Sequence, residues 1–525
     1  MTVGVFPTGS YTTLSPSNTV AANQALIDAD ATGQIWWPAG TYRLTSSATI
    51  YRPRTNQIHR FETGPLRIPS DTAVIKGSAI VTGWTQGSGA DSDKWFVTGQ
   101  TQDFGDATQP TGGGTNVVAY TEREDYYKDG IPMIAVTTKA EVTGTTNKRY
   151  LDQAADTVWI GFNPSGNTME RLMSDFTALI LIHSDPAVSG VTLKGGIVEH
   201  SLNNCVSVGL GFFGTEDNVV IEDMEMRYAH FRCFNVSGIS SNYITGLVLR
   251  HCYLHHGGSY NLTGGRIDSP VFEYCHFAFG NDLHYGNRGT GSDNEGASKF
   301  VQCTGTFAWR YNWSHDNDGD EWWDTNPAIS IQATESVIEN NYRWGLNIED
   351  CSGTPSLVSH CLLRDNGQIL PVWGEWGSIS TRHEMANLYT TSTNDLELAN
   401  NLFQSKASMN YQRDISMSWQ ARSTGTGPQR LRVHNNRFDR RNLPGGTTHK
   451  GFESAQGSLQ DLWYQTSDNK WDFNEYHIPT GQDTNGQWFN QNGAITWNDW
   501  RDGGSLPFAP PSFYDPNSTI TADLT

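Results

Sequence analysis

Between Val191 and Phe438 the chain returns to one short phrase: IEDMEM at 221–226, LRHCYL at 249–254, FEYCHF at 272–277, WRYNWS at 309–314, IENNYR at 338–343, VSHCLL at 358–363, LANNLF at 398–403 and VHNNRF at 433–438. Taking the third or fourth residue of each phrase gives a ladder of Met224, Cys252, Cys275, Asn312, Asn341, Cys361, Asn401 and Asn436. Its rungs lie roughly 20 to 40 residues apart, too far for a hairpin meander, and no helical pattern falls between them. Around each rung Val, Ile, Leu, Phe and Tyr alternate with polar residues, the mark of a short strand with one buried face. The repeat predicts stacked three-sided coils, none of which can bury its apolar side alone. An inward Asn at a corner bonds backbone groups and the amides of neighbouring coils, which sets register. Cys in the same slot is a small buried hydrophobe.

The remaining composition agrees with one large β domain. Of 525 residues 37% are hydrophobic, with 18 Trp, 20 Tyr and 22 Phe, ample for an extensive core. The formal charge of −20 and the lack of a dense basic patch argue against nucleic acid as partner. Seven Cys, an odd number, with three on the ladder, read as core thiols rather than a disulfide framework. No CxxC pair supports zinc. No run of 18 apolar residues predicts a membrane span. MTVGVFPTGSYTTL at the start has no basic segment followed by an apolar run, so no secretory signal is visible and the compartment stays open.

In chain order, residues 1–60 read as an N-terminal cap. SNTVAANQALID at 17–28 has helical spacing, with Ser17 or Asn18 as N-cap and Val20, Leu26 and Ile27 on its apolar side. IWWPAGTYRLTSS at 35–47 follows as a strand, a Pro-Ala-Gly turn and a second strand, a hairpin-like plug, since an uncapped solenoid end exposes strand edges. Residues 61–83 form the expected first coil. From 84 to 178 the period breaks into short strands with DG and PSG turns, an inserted β subdomain. Residues 179–440 make the main run of coils. From 441 to 525 an aromatic-rich segment closes the end, holding Trp463, Trp471, Trp488, Trp497 and Trp500.

The chain resembles the right-handed parallel β-helix proteins of the pectate-lyase-like superfamily, and within them bacterial and phage carbohydrate-active β-helix proteins of undefined substrate. The residues that carry the likeness are ANQALIDADATGQIWWPAGTYRL, YYKDGIPMIAV, YLDQAADTVWIGFNPSGNTME, NWSHDNDGDEWWDTN, ENNYRWGLNIED and the C-terminal WDFNEYHIP and TWNDWRDGG. The resemblance implies an all-β, right-handed parallel β-helix with a helical N-terminal cap. For chemistry it implies less, because this fold hosts lyases, hydrolases, epimerases and depolymerases.

Equivalent positions on successive coils lie about 4.8 Å apart. EWWD at 321–324 and LNIE at 346–349 follow their ladder residues at corresponding places, which puts Asp324 and Glu349 on neighbouring coils. Retaining glycosidases use two carboxylates about 5–5.5 Å apart. Lys299 in EGASKF, with Glu295 beside it, could neutralise a uronate or act as a base; a salt bridge is the plain alternative. Trp322 and Trp323 cannot both face inward on one strand, so at least one is expected to offer a sugar-stacking face. Trp373 and Trp376 in PVWGEW are further platforms. His255 and His315 each follow a ladder residue by three positions, Cys252 and Asn312, and with His284 are candidate substrate contacts or turn residues. The acidic run DNDGDE lacks the full spacing of a calcium loop, so Ca²⁺ is compatible but not required, and no metal site is assigned.

The expected activity is hydrolysis of a polysaccharide or oligosaccharide by Asp324 and Glu349, with Lys299 in support. The alternatives are β-elimination on a uronic-acid polymer and a non-catalytic glycan-binding or tail-fibre role. Monomer and homotrimer both fit, in an extracellular or virion setting.

Overall fold

Each corner of the repeat is made by one residue in the left-handed region followed by a buried small or amide side chain. In the computed structural model Asp223, His251, Tyr274, Tyr311, Glu335, His360, Asn400, Asn435 and Phe473 all have φ between 50° and 59°. The residues after them are Met224, Cys252, Cys275, Asn312, Ser336, Cys361, Asn401, Asn436 and Asn474, and all are buried. Non-glycine residues in this region are uncommon, so recurrence at one position marks a corner built on purpose. The structure describes residues 9–44, 50–104, 123–144, 146–173, 177–183, 187–209, 216–239, 242–283, 296–324, 329–342, 344–351, 355–367, 386–391, 393–405, 413–418, 429–440, 450–455, 469–479, 488–490, 493–495 and 517–523.

The amide ladder corrects one rung. Asn341 does not follow Asn312 at this corner; Ser336 does, its Oγ accepting from the Asn312 N–H at 3.1 Å. Asn341 belongs to a second ladder, on the next corner, with Asn317, Asn366 and Asn387. There each backbone N–H donates to the amide oxygen one coil on: Asn317 to Asn341 at 3.2 Å, Asn341 to Asn366 at 3.1 Å and Asn366 to Asn387 at 3.2 Å. The first ladder works the same way, from Cys361 to Asn401 at 3.0 Å, Asn401 to Asn436 at 2.9 Å and Asn436 to Asn474 at 3.0 Å. Two corners with the same amide chemistry explain why the phrases looked like one series.

Three sheets of 13, 13 and 12 strands, parallel except for the final antiparallel pair Trp488–Asn490 and Gly493–Ile495 of the third, form the walls of a right-handed parallel β-helix. The first starts with Thr12–Thr13 and Gln34–Trp37, the second with Gly40–Arg43 and Ala73–Lys76, the third with Ala178–Ile182. Gln34–Trp37 and Gly40–Arg43 pair in parallel with strands of different sheets. The Pro-Ala-Gly stretch between them is therefore a coil corner, not a hairpin, and parallel strands begin ahead of residues 61–83. The one α-helix among the described residues, Val20–Ala29, is capped by Thr19, whose Oγ1 accepts from the Ala22 N–H at 3.2 Å, rather than by Ser17 or Asn18. Its buried face is Val20, Asn23 and Ile27, an i, i+3, i+7 stripe; Leu26 points away and is exposed. No helix among the described residues is long and apolar enough to cross a membrane.

The chain divides into two compact units. One comprises 1–236, 252–262 and 281–293, the other 237–251, 263–280 and 294–525. In the first, Ser78–Ile80 leaves the coil and pairs antiparallel with Met169–Leu172, which opens the inserted β module. Its own core is Val81, Val97, Tyr126, Met133, Leu151, Val158, Ile160 and Met169. The expected DG turn is present: Asp129 and Gly130 both have positive φ between Lys128 and its partner Ile131, as a two-residue hairpin requires. In the second unit the core is aromatic, with Trp323 packed on Phe307 and Trp309 at ring separations of 4.9 and 5.2 Å.

Candidate active site

The third sheet of the second unit carries the expected carboxylates. Asp320–Asp324 pairs in parallel with Trp344–Glu349, and the register sets Asp324 opposite Glu349 and Trp322 opposite Asn347. On the preceding strand, Gly296–Val301, Lys299 is opposite Trp322 and Val301 opposite Asp324. On the following strand, Ala386–Thr391, Tyr389 is opposite Asn347 and Thr391 opposite Glu349. Lys299 thus shares the row of Trp322 and Asn347, one step of the alternation away from the carboxylate row. For Trp322 and Asp324 the strand and its register are what the structure describes.

Alternation assigns the faces. Trp323 is fully buried and stacks into the core, and its Nε1–H donates to Ser298 Oγ at 3.2 Å. Its register partner Ile348 is buried as well, as is Leu346. Asn347 and Glu349 alternate with these and so belong to the outer face, as does Thr391. Trp323 is therefore a core residue and not a sugar platform: its strand position turns the indole inward, where two aromatic rings hold it.

All three outer residues are nevertheless shielded from solvent, Asn347 at 0%, Thr391 at 1% and Glu349 at 2% exposure. Among the described residues neither amide atom of Asn347 has a hydrogen-bond partner, and neither has the Thr391 hydroxyl. Glu295, His284, Trp373 and Trp376 lie outside the described residues.

His315 lies on the second sheet, not with the carboxylates. Its Nδ1 meets Asp316 Oδ2 at 2.6 Å and its Nε2 meets His276 Nε2 at 2.5 Å. Asp316 can only accept, so Nδ1 carries the proton there and Nε2 takes one from His276. Trp313 stacks on both rings, with centroids 4.1 Å from His315 and 4.5 Å from His276.

His255 belongs to a constellation in the first unit that the repeat phrases did not disclose. On the second sheet Arg43, Lys76, Glu199, Arg227 and His255 occupy one register row on successive strands. Lys76 Nζ lies 2.7 Å from Glu199 and 3.1 Å from Glu170 of the inserted module, which also meets Arg43 at 2.5 Å. Arg227 bridges Glu199 at 2.6 Å and Glu225 at 2.5 Å, and Arg67 reaches Glu225 at 3.1 Å. Burial raises the Glu199 and Glu225 carboxyls, but the cations beside both, and for Glu225 the His255 bond, outweigh it and hold each at about 2.

The row ends in a directed chain of imidazoles. His255 Nε2 donates to Glu225 Oε1 at 3.3 Å, and its Nδ1 faces His256 Nδ1 at 2.6 Å. Since a carboxylate only accepts, the His255 proton sits on Nε2 and His256 supplies the one between the two Nδ1 atoms. Burial lowers the His255 pKa against the pull of Glu225; burial, then His255 and Arg227, bring His256 to about 4. His200, Tyr228 and His256 share the corner position on three successive coils, with φ of 62°, 53° and 54°. His200 is fully buried and stacks on Tyr127 at 3.6 Å. The sequence held one usable signal: the three-residue offset that relates Cys252 to His255 also leads from Met224 to Arg227.

No family profile matches this sequence, and no curated protein does. Among solved structures, the chain is similar to the one described as the complex structure of XylC with xylose, with a TM-score of 0.56 and 11% identity over 94% of this chain and 81% of that one. It also matches the A-module of the Azotobacter vinelandii mannuronan C-5 epimerase AlgE6, with a TM-score of 0.46 and 14% identity over 96% of this chain and 93% of that one. At these identities the XylC likeness speaks for the fold, the right-handed parallel β-helix.

Proposed function

We propose that this protein is a carbohydrate-active enzyme that hydrolyses glycosidic bonds through Asp324 and Glu349. The observation that supports it is their register: the two acids pair directly across adjacent parallel strands, where Cα atoms lie about 4.8 Å apart. That is the neighbourhood of the roughly 5–5.5 Å carboxyl separation of retaining glycosidases. One carboxylate attacks the anomeric carbon while the other protonates the leaving oxygen. The C–O bond breaks and a glycosyl ester forms. Water, deprotonated by the second group, then releases the sugar with net retention. Lys299, one row away, would orient a substrate oxygen.

The test is turnover of a panel of 4-nitrophenyl glycosides, with the β-xyloside as first probe, and of plant and bacterial polysaccharides, by wild type and by the Asp324→Asn and Glu349→Gln variants. Loss of activity in both variants, with retention of anomeric configuration in wild type, is expected. Unchanged turnover in each variant overturns the assignment.

The Glu225–His255–His256 chain beside Arg67 and Arg227 supports one second reading, β-elimination on a uronic-acid polymer with His256 as the proton acceptor. Ultraviolet absorbance of an unsaturated uronide on digestion distinguishes it. Glycan binding without release of either product supports a binding protein instead.

A further inference from the structure

The solenoid satisfies the buried amides at its corners. Asn312, Asn317, Asn341, Asn366, Asn387, Asn401, Asn436 and Asn474 each bond backbone groups, neighbouring amides or both. Asn347 stands apart from them. It sits on the outer face, fully buried, with both Nδ2 and Oδ1 lacking a partner. Thr391, also on that face and 1% exposed, has an unpartnered hydroxyl. Each unmet buried polar group costs roughly 1–3 kcal/mol, so three such atoms in one place call for a compensating ligand.

Their placement names that ligand. Asn347 precedes Glu349 by two residues on the same strand and face, about 6–7 Å along it, and Thr391 lies opposite Glu349 on the next coil, about 4.8 Å away. The two therefore flank the carboxylate from two directions. An amide offers two N–H donors and an acceptor oxygen, a hydroxyl both donates and accepts, and a sugar hydroxyl answers either. Resting on the glycosidase reading, we infer that Asn347 and Thr391 form a subsite that grips a ring hydroxyl of the sugar whose anomeric carbon lies at Asp324 and Glu349. Both are substrate-positioning residues. A site built to bond a hydroxyl discriminates against a sugar without it, because its own polar groups are then left unmet.

The experiment is a double-mutant cycle between protein and substrate. Asn347→Ala and the near-isosteric Thr391→Val are assayed on the best-cleaved 4-nitrophenyl glycoside and on its 2-deoxy and 3-deoxy analogues. With the parent glycoside kcat/KM falls about 10- to 100-fold; with the analogue lacking the gripped hydroxyl the variants match wild type. An equal fall on all substrates assigns Asn347 and Thr391 a structural role, and no fall on any removes them from the site; both outcomes overturn the proposal. Asp324→Asn and Glu349→Gln are measured alongside. If those are inactive and Asn347→Ala is not impaired, the subsite alone fails; if those are fully active, the glycosidase reading fails. Should wild type cleave none of the glycosides, titration of D-xylose and D-glucose against the Asn347 side-chain amide resonances decides. A specific shift upholds the subsite, and its absence overturns it.

Discussion

Removing the Asn436 side chain tests whether the amide ladder holds coils in register or merely fills a corner. Its Oδ1 accepts from the Asn401 backbone N–H at 2.9 Å and from Asn401 Nδ2 at 3.0 Å. Its Nδ2 donates to Leu398 O at 2.8 Å, His434 O at 3.0 Å and Asn474 Oδ1 at 3.2 Å. Asn401 Nδ2 keeps Val358 O and Asn474 Oδ1 keeps the Asn436 backbone N–H, so Asn436→Ala leaves the Asn401 N–H as the group that loses its acceptor. That buried orphan costs about 1–3 kcal/mol, and the remaining lost bonds raise the total to about 3 kcal/mol. Because solenoid stability is a sum of coil and neighbour terms, the loss concentrates at the joint between the Asn401 and Asn436 coils. Hydrogen exchange followed by mass spectrometry should show deprotection of residues 396–404 and 432–439, with the Asn317–Asn341–Asn366 corner unaffected. Unchanged protection at Asn401, or loss spread evenly along the chain, refutes the reasoning.

Acidification should destabilise the protein in two stages. His256 is at about 4 in the folded state against 6.5, so its contribution is present above 6.5 and fades as pH falls toward 4. Glu199 and Glu225 are at about 2 against 4.5, so theirs is present above 4.5 and is lost between 4.5 and 2. Thermal melts from pH 7.5 to 3 should fall through both windows, and His256→Asn, which tolerates the left-handed corner, should make the upper fall shallower. The buried His59, His200 and His255, whose pKa values burial also lowers, supply the rest of it; a flat profile down to pH 4.5 in wild type contradicts this. The seven cysteines are all buried thiols, and burial pushes those of Cys303 and Cys361 up to about 12. An aromatic disulfide reagent at pH 8 should therefore label none in the native protein and all seven in urea, and rapid native labelling would overturn the core-thiol assignment.

The repeat was legible because burial imposes the same demand on every coil. Alternating apolar residues and a small or amide corner recur whatever the coil does otherwise. Asp324 and Glu349 do lie opposite each other, although the rung that answers Asn341 is Asn317 and not the Asn312 from which the phrases were counted. What the sequence hid has physical causes. The left-handed corners are filled by His, Tyr, Asp, Asn, Glu and Phe as well as by Gly195, so composition does not mark them. Two corners use the same amide bond, which is how Asn341 was placed one corner away from its true ladder. Alternation says that Trp322 and Trp323 face opposite ways but not which one faces in; the packing of Phe307 and Trp309 settles that for Trp323. The Arg43–Lys76–Glu199–Arg227–His255 row was missed because the inserted module parts Lys76 from Glu199 in sequence while leaving them adjacent in register.

That same insertion bears on how the chain assembles. Successive coils elsewhere close short loops: Arg227 and Glu199 are 28 residues apart, Asn341 and Asn366 25. At the joint between Ala73–Lys76 and Ile197–Ser201 the span is far longer, as the 133 residues between Thr63 and its partner Gly196 illustrate. Loop-closure entropy and contact order both penalise that pairing relative to its neighbours. If the module folds first, the antiparallel match of Ser78–Ile80 with Met169–Leu172 shortens the open loop to the stretch after Leu172. The inserted module then acts as a clasp, and the first coils join the growing stack only after it has closed.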